Sequence, residues 1–425
     1  MPASFTYAAV YLVEAVCQTP LRTGGTDGDP EQVLRDRDGA AFLQGTSLAG
    51  ALRGRLQAGP DQSVVSSLFG SQNGGGHLII SDAVFDTTAE QTIRPRLRID
   101  PKTAAGDPGG KFDMAHINAG AVLHFSLTWL GLPEDAKREL FLVEQMLAAI
   151  DAGDILLGAQ KANGFGRLSL SVKKRVFDLT NAGDRRCWLA DELEGMPLTL
   201  PKPKQRQEVL FTVQGRTDNL LVKTAPAQYK NDQGEFRSYT PNLSESGQAL
   251  LPGSSIKGPI RARANYIARF LSLDSGFVDH CFGREAAAGD NGLPGSIRFE
   301  DAALTGQKKK VSRVRIDRFT GGVFRGGLFT EEPFCSDLTL RIAAEDEPAL
   351  CSLLLYALRD LGLGLYNLGS GWAIGRGQID VQVIQAESPD GRKAVLRFDG
   401  QGNIAQEDPT GLFQAWREEL EAMRV

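Results

Sequence analysis

The stretch LLPGSSIKGPIRARANYIARF, Leu250 to Phe270, passes from an apolar pair through Pro-Gly-Ser-Ser into a basic segment with the composition of a helix. The first turn of a helix leaves backbone N–H groups unpartnered and carries the positive end of the macrodipole. A serine at the N-cap supplies one partner, and glycine lets a ligand approach the backbone closely. Pro259 fits only a first turn, so the spacing predicts a helix start near Ser255 to Gly258. Lys257 and Arg261 then share one face, an arrangement that suits a phosphate. It equally suits an ordinary capped helix with solvated cations, and GSSIKG lacks the Gly-Lys-Ser/Thr ending of a P-loop.

The motif occurs twice, which decides the architecture. LQGTSLAGALRGR at 43–55 matches LPGSSIKGPIRAR at 251–263, with Gly45 opposite Gly253, Thr46 opposite Ser254, Ser47 opposite Ser255, Gly50 opposite Gly258 and Arg53 opposite Arg261. Further landmarks follow in the same order. LFG at 68–70 answers to CFG at 281–283, and SDA at 81–83 to EDA at 300–302. RLRIDPKT at 96–103 matches RVRIDRFT at 313–320, and NGFGRLSL at 163–170 matches WAIGRGQI at 372–379. Upstream, PLRTG at 20–24 resembles LVKTA at 221–225. Ordered self-similarity of this kind is a tandem duplication.

Bulk properties agree. A chain of 425 residues that is 42% hydrophobic has room for two to three domains with their own cores. MPASFTYAAVYLVEAV alternates like a strand and has no signal-peptide pattern, and no apolar run reaches the length of a membrane span. Cysteines at 17, 187, 281, 335 and 351 are scattered, without Cys-x-x-Cys, which points to a reducing cytoplasm and away from a zinc site. The net charge of −5 leaves no global basic footprint, so any nucleic acid must be bound locally.

The first unit covers 1–172 and the second 206–385. Between them 173–205 ends in PLTLPKPKQ and reads as an extended linker. A C-terminal extension, 386–425, ends in TGLFQAWREELEAM, an amphipathic helix with Leu412, Phe413, Trp416, Leu420 and Met423 on one stripe. Each unit opens with a strand (8–15 and 209–215), then a loop and the glycine-entered helix. A strand, a long excursion, another strand (123–129 and 338–342), a helix and a glycine-rich turn into a last strand follow. Mixed elements in about 170 residues predict an α+β fold, two tandem ferredoxin-like sandwiches with insertions.

In the excursions Arg96, Arg98 and Asp100 alternate with Leu97 and Ile99, as Arg313, Arg315 and Asp317 alternate with Val314 and Ile316. A period of two puts the cations on one face of a strand. The pattern fits either an edge strand blunted by charge or a surface tracking a phosphate backbone.

The G-[ST]-S-[LI]-x-G-x-[LI]-R helix entry, the R-[LV]-R-I-D hairpin and the Gly-Arg turn resemble the RAMP superfamily, and more narrowly the backbone subunits of type III CRISPR effector complexes. Two such units in one chain look like the fused subunits of the III-D variants. The resemblance implies RRM-like domains, each with a β-hairpin thumb (94–122 and 305–337) that displaces one base pair of a guide–target duplex. It implies binding of guide crRNA and complementary target RNA, beside other backbone proteins, a polymerase-like large subunit and a small subunit. Guide phosphates would be held by Gly45, Thr46, Ser47, Arg53, Gly253, Ser254, Ser255, Lys257 and Arg261, with Arg167 and Arg376 in the glycine turns. Arg96, Arg98, Arg313 and Arg315 would track RNA. Target cleavage is implied beside an aspartate in the loop after the first strand, with a divalent ion, Mg²⁺, as cofactor.

The family segment X-Asp-X-Pro-[VI]-x-[RK]-Asp is matched at its end by Val33-Leu34-Arg35-Asp36, which makes Asp29, before Pro30, the best counterpart of the catalytic residue and Asp27 the alternative. Turn chemistry is the competing reading of both. The second unit has no Arg-Asp there, and its candidates are Asp232 and Glu235. A non-catalytic RNA-binding scaffold is the main alternative. A guide-processing ribonuclease would need a histidine base, and His77, His116, His124 and His280 lie outside the matched landmarks.

Overall fold

In the computed structural model the described residues are 5–25, 29–57, 62–72, 74–100, 106–202, 208–230, 233–286 and 290–424, and the statements below concern these. The chain divides into two compact units, Met1–Arg96 with Gly109–Lys161 and Phe165–Arg206, and Gln207–Val425 with Leu97–Pro108 and Ala162–Gly164.

In the first unit the strand Tyr7–Cys17 lies antiparallel between Val122–Gly131 and Leu168–Asp178. Leu78–Ile80 pairs with the far side of Val122–Gly131. Helices Gly45–Gln57 and Pro133–Ala152 complete a β-α-β-β-α-β order with the first strand inside the sheet, which is the ferredoxin-like arrangement. Alternation drives it: Ala9, Tyr11, Val13 and Ala15 enter the core, packing with Leu48, Leu52, Val143, Leu147 and Ile150.

The second unit repeats the topology. Glu208–Leu220 lies antiparallel between Phe334–Glu345 and Asp380–Glu387, and Ile297–Phe299 pairs with Phe334–Glu345. Its helices are Gly253–Phe270 and Pro348–Gly362. The four sequence-read strands are present, each longer than the alternation alone marked.

The described part of 173–205, read as linker, carries much more structure than an extended segment. The strand Leu168–Asp178 continues into it, helix Ala182–Leu189 follows, and Met196–Pro197 adds a short edge strand. The other face of the first strand explains this. Ala8 and Val10 need cover, and Phe177 with Trp188, ring centroids 5.3 Å apart, supplies it.

The C-terminal extension is part of the second unit's core. Lys393–Phe398 and Ile404–Glu407 widen the sheet, and helix Leu412–Ala422 packs on Pro348–Gly362. Asp408 accepts from the amides of Leu412 and Phe413 at 2.7 and 2.9 Å and so starts that helix. Trp416 is buried, 5.6 Å from the ring centroids of both Phe211 and Phe413. Trp416→Ala is expected to lower the second unit's stability by about 3–5 kcal/mol, read from urea unfolding.

The quoted helix starts earlier than expected. It runs Gly253–Phe270 with Pro252, not a serine, at the N-cap, and Pro259 lies in its second turn. The missing Pro259 N–H forfeits a bond to the Ser255 carbonyl. Burial of Ile256, Ile260, Ala264 and Ile267 along one face outweighs that loss.

Candidate nucleic-acid interface and cleavage loop

Both entry helices are capped from outside the helix. The Gly45 amide donates to Asp82 Oδ1 and the Gly253 amide to Asp301 Oδ1, each at 2.7 Å. These are the aspartates of the SDA and EDA landmarks, whose role the sequence did not disclose. The glycines are required by contact: a Cβ on Gly45 would stand 2.6 Å from the Ile80 carbonyl oxygen, and one on Gly253 2.2 Å from that of Phe299. Ser47 and Leu48 amides return to the Gln44 carbonyl, and those of Ser255 and Ile256 to Pro252. Among the described residues nothing accepts from the Thr46 and Ser254 amides, which leaves one open donor per helix.

The cations assigned to these helices are not all at that end. Arg53 and Arg261 lie two turns on, about 12 Å along the axis. Arg261 Nη2 holds Asp279 Oδ1 at 2.8 Å, and Arg53 is half-buried with no acceptor for its Nε among the described residues. Lys257 sits nearer the N-terminus, half-buried.

Asp27 and Asp232 lie outside the described residues. Asp29 is described, and both its oxygens serve the local turn. Oδ1 accepts from the Glu31 amide at 2.9 Å and Oδ2 from Gln32 Nε2 at 2.8 Å. The loop docks on the returning thumb strand Gly106–Ile117, where the Ala115 amide donates to the Pro30 carbonyl at 2.8 Å. Arg22 Nη1 bridges the Ala115 and Pro30 carbonyls at 2.7 and 3.1 Å. Burial pulls Arg22 below the ordinary guanidinium range, and the Asp29 charge opposes that pull. Arg22 is thus the cation beside the loop, and sequence reading had it only as a landmark. Arg35 and Asp36, the family-like dipeptide, build a turn: Arg35 reaches the Gly39 carbonyl and Gln91, and Asp36 accepts from the Asp38 and Ala40 amides.

Among the described residues no three His, Cys, Asp or Glu side chains converge as a metal cage. The Asp29 oxygens each accept one hydrogen bond within the turn, and the Asp29 charge acts on the Arg22 guanidinium.

In the second unit the matching segment is a hairpin, Ala227–Lys230 with Phe236–Thr240, whose second strand joins the thumb strand Val323–Glu331 in parallel. Glu235 pairs with Arg237 at 2.6 Å. Glu235, the described candidate, thus stands just before the strand Phe236–Thr240 that joins the thumb.

The glycine turns superpose by hydrogen bonding, with a register two residues from the sequence match. The Leu157 amide donates to the Gly166 carbonyl and the Leu368 amide to that of Gly377, both at 2.9 Å. The Gly166 and Gly377 amides donate to the Pro20 and Asn219 carbonyls. Gly166 thus answers to Gly377, Arg376 to Phe165, and 20–24 to 219–223. The Gly-Arg pairs coincide in letters but not in place. Arg167 lies against Gly153 at the C-terminus of helix Pro133–Ala152, favourable for the dipole. Arg376 is only 3% exposed, its guanidinium 2.8 Å from Glu331.

The thumbs are real hairpins, Gln91–Ile99 with Gly106–Ile117 and Val311–Ile316 with Val323–Glu331. Arg96 reaches Gln160 at 3.2 Å and Arg98 is exposed, as are Leu97 and Ile99. In the second thumb, 307–330 holds seven cations and one carboxylate, Asp317, within a chain of net charge −5. Asp317 is spent on the turn, accepting from the Phe319 amide at 2.8 Å. Phe319 is 99% exposed, and Phe324, Phe329, Val314 and Ile316 are exposed too. Arg315 lies over the Phe324 ring at 5.0 Å, and Lys310 over the rings of Tyr229 and Tyr239 at 3.8 and 4.7 Å. Cations interleaved with exposed rings make a surface for phosphates and unstacked bases together.

No curated protein matches the chain. A family model, the RAMP superfamily, matches residues 14–169 and 241–380, one region in each unit and together more than half the sequence. With the same ferredoxin-like topology, entry helix and thumb present in both regions, the chain belongs to the RAMP superfamily as a tandem duplicate.

Proposed function

We propose that this chain is a fused backbone subunit of a type III, III-D-like CRISPR effector complex. It holds guide crRNA along both units and cuts complementary target RNA at the loop of the first. RAMP membership supports a CRISPR-associated RNA-binding protein, and no described helix is long and apolar enough to cross a membrane. The carrying observation is the second thumb, where six exposed cations, Lys308, Lys309, Lys310, Arg315, Arg318 and Arg325, stand among exposed aromatic rings. In the cleavage loop an aspartate, Asp29 or Asp27, positions a ribose 2′-hydroxyl for in-line attack, with Arg22 as the adjacent positive charge. The other backbone proteins, the large subunit and the small subunit are the expected partners.

A scaffold that binds without cutting is the second reading. The turn bonds of Asp29 and the hairpin in place of a second cleavage loop favour it.

RNA binding is tested by titrating single-stranded RNA over a salt series. Arg315→Ala with Arg318→Ala is expected to weaken binding regardless of sequence and flatten the salt slope by about 1–2. Arg53→Ala with Arg261→Ala should flatten it less, because Asp279 already neutralises Arg261. Unchanged slopes in both would remove the basis for the reading.

A further inference from the structure

One carboxylate in the second unit is surrounded by far more positive charge than a strut needs. Glu331, at the end of the thumb strand, is 4% exposed. Lys223 Nζ stands 2.9 Å from its Oε1, while the Arg376 guanidinium, at 2.8 Å, and that of Arg313 both meet Oε2. The cations come from three segments: the exit of the first strand, the thumb and the glycine turn. The neighbouring Glu332 is taken by Lys308 at 3.5 Å and does not offset the excess. Arg313 Nε is buried with no acceptor among the described residues.

Burial pushes the Glu331 carboxyl up, but Lys223, Arg313 and Arg376 outweigh it and hold it below its usual range. Burying charge costs free energy unless opposite charges match, and here two positive charges remain over. The fold does not demand all of them. At the equivalent turn position the first unit has Phe165, a buried ring, in place of Arg376. Several N–H donors converging on two oxygens is how proteins hold an oxyanion.

We propose that Lys223, Arg313 and Arg376 form an oxyanion seat, and that Glu331 fills it from within, standing where a phosphate group would otherwise bind. Lys223 and Arg313 form the open rim, 50% and 29% exposed, and Arg376 the floor. A backbone phosphate gains the seat only when the Glu331 carboxylate turns out. That RNA supplies the phosphate rests on the function proposed above; the seat itself does not.

The test is thermal unfolding of the full chain in phosphate against chloride at matched ionic strength. Glu331→Gln should melt below the wild type in chloride and recover in a saturable manner with inorganic phosphate, by mass action on the folded state. Adding Lys223→Ala should abolish the recovery. On RNA, Glu331→Gln should steepen the salt slope by about one, the mark of one further phosphate contact. Equal melting in both salts with an unchanged slope would show a structural strut and overturn the proposal. Glu331→Asp, which withdraws the charge by one methylene, covers the case in which Glu331→Gln does not fold: a phosphate response no larger than the wild type's also overturns it. Because the melting arm uses no RNA, phosphate recovery without RNA binding would sink the functional reading and leave the seat standing.

Discussion

Gly377→Ala is expected to abolish the cooperative unfolding transition of the second unit. Its φ of +72° is left-handed, and an added Cβ would lie 1.7 Å from the Leu368 carbonyl oxygen. That oxygen is backbone, so it cannot rotate away as a side chain would. The Gly377 amide and carbonyl also tie the turn to Asn219 and Leu368, and any shift breaks both bonds. The loss should exceed about 4 kcal/mol, in the range reserved for core disruption. Gly391→Ala is the control, with φ +85° but nothing within 4 Å of the new methyl. It should cost only about 1–2 kcal/mol for the backbone conformation. Far-UV circular dichroism against temperature separates the two, and a Gly377→Ala chain melting like Gly391→Ala would contradict the contact argument.

Asp29→Asn is expected to abolish one cut in the target RNA and leave guide and target binding intact. The amide oxygen still accepts from the Glu31 N–H, so the turn that Asp29 closes is kept while its charge is removed. That separation is what alanine would not give. Asp27→Asn is the companion variant, and loss of the cut there alone transfers the role to Asp27. Asp232→Ala should have the weaker effect, since the second unit lacks the Arg-Asp dipeptide of the first. Fragment mapping in the assembled complex decides it. A full fragment pattern with all three aspartates replaced establishes the scaffold reading.

The duplication, the helix entries and the thumbs were legible because each is written locally. Glycine under a neighbouring carbonyl, an alternating basic strand and a left-handed turn all leave their mark within a few residues. The capping role of Asp82 and Asp301 was visible only as a repeated letter, since its partner is far away in sequence. The glycine-turn register slipped by two because Gly-Arg recurs by coincidence. Leu157-Gly158 and Leu368-Gly369, equally spaced before Gly166 and Gly377, carried the true register. Pro259 was misplaced because the helix rule is local, whereas the buried stripe that overrides it belongs to the whole unit. The cluster on Glu331 was not legible at all, being assembled from three segments.

Two copies of one topology in a single chain invite exchange of equivalent strands while the protein folds. The sheet margins work against that error. The first sheet ends at Met196–Pro197, where proline has no N–H to offer another strand. The second ends at Ile404–Glu407, where Glu407 is held by Arg397 at 2.7 Å. One margin is closed by a missing donor and the other by paired charge. The added elements at the ends of the two units thus help keep each copy's strands in its own sheet, and trimming them should show up first as aggregation during refolding.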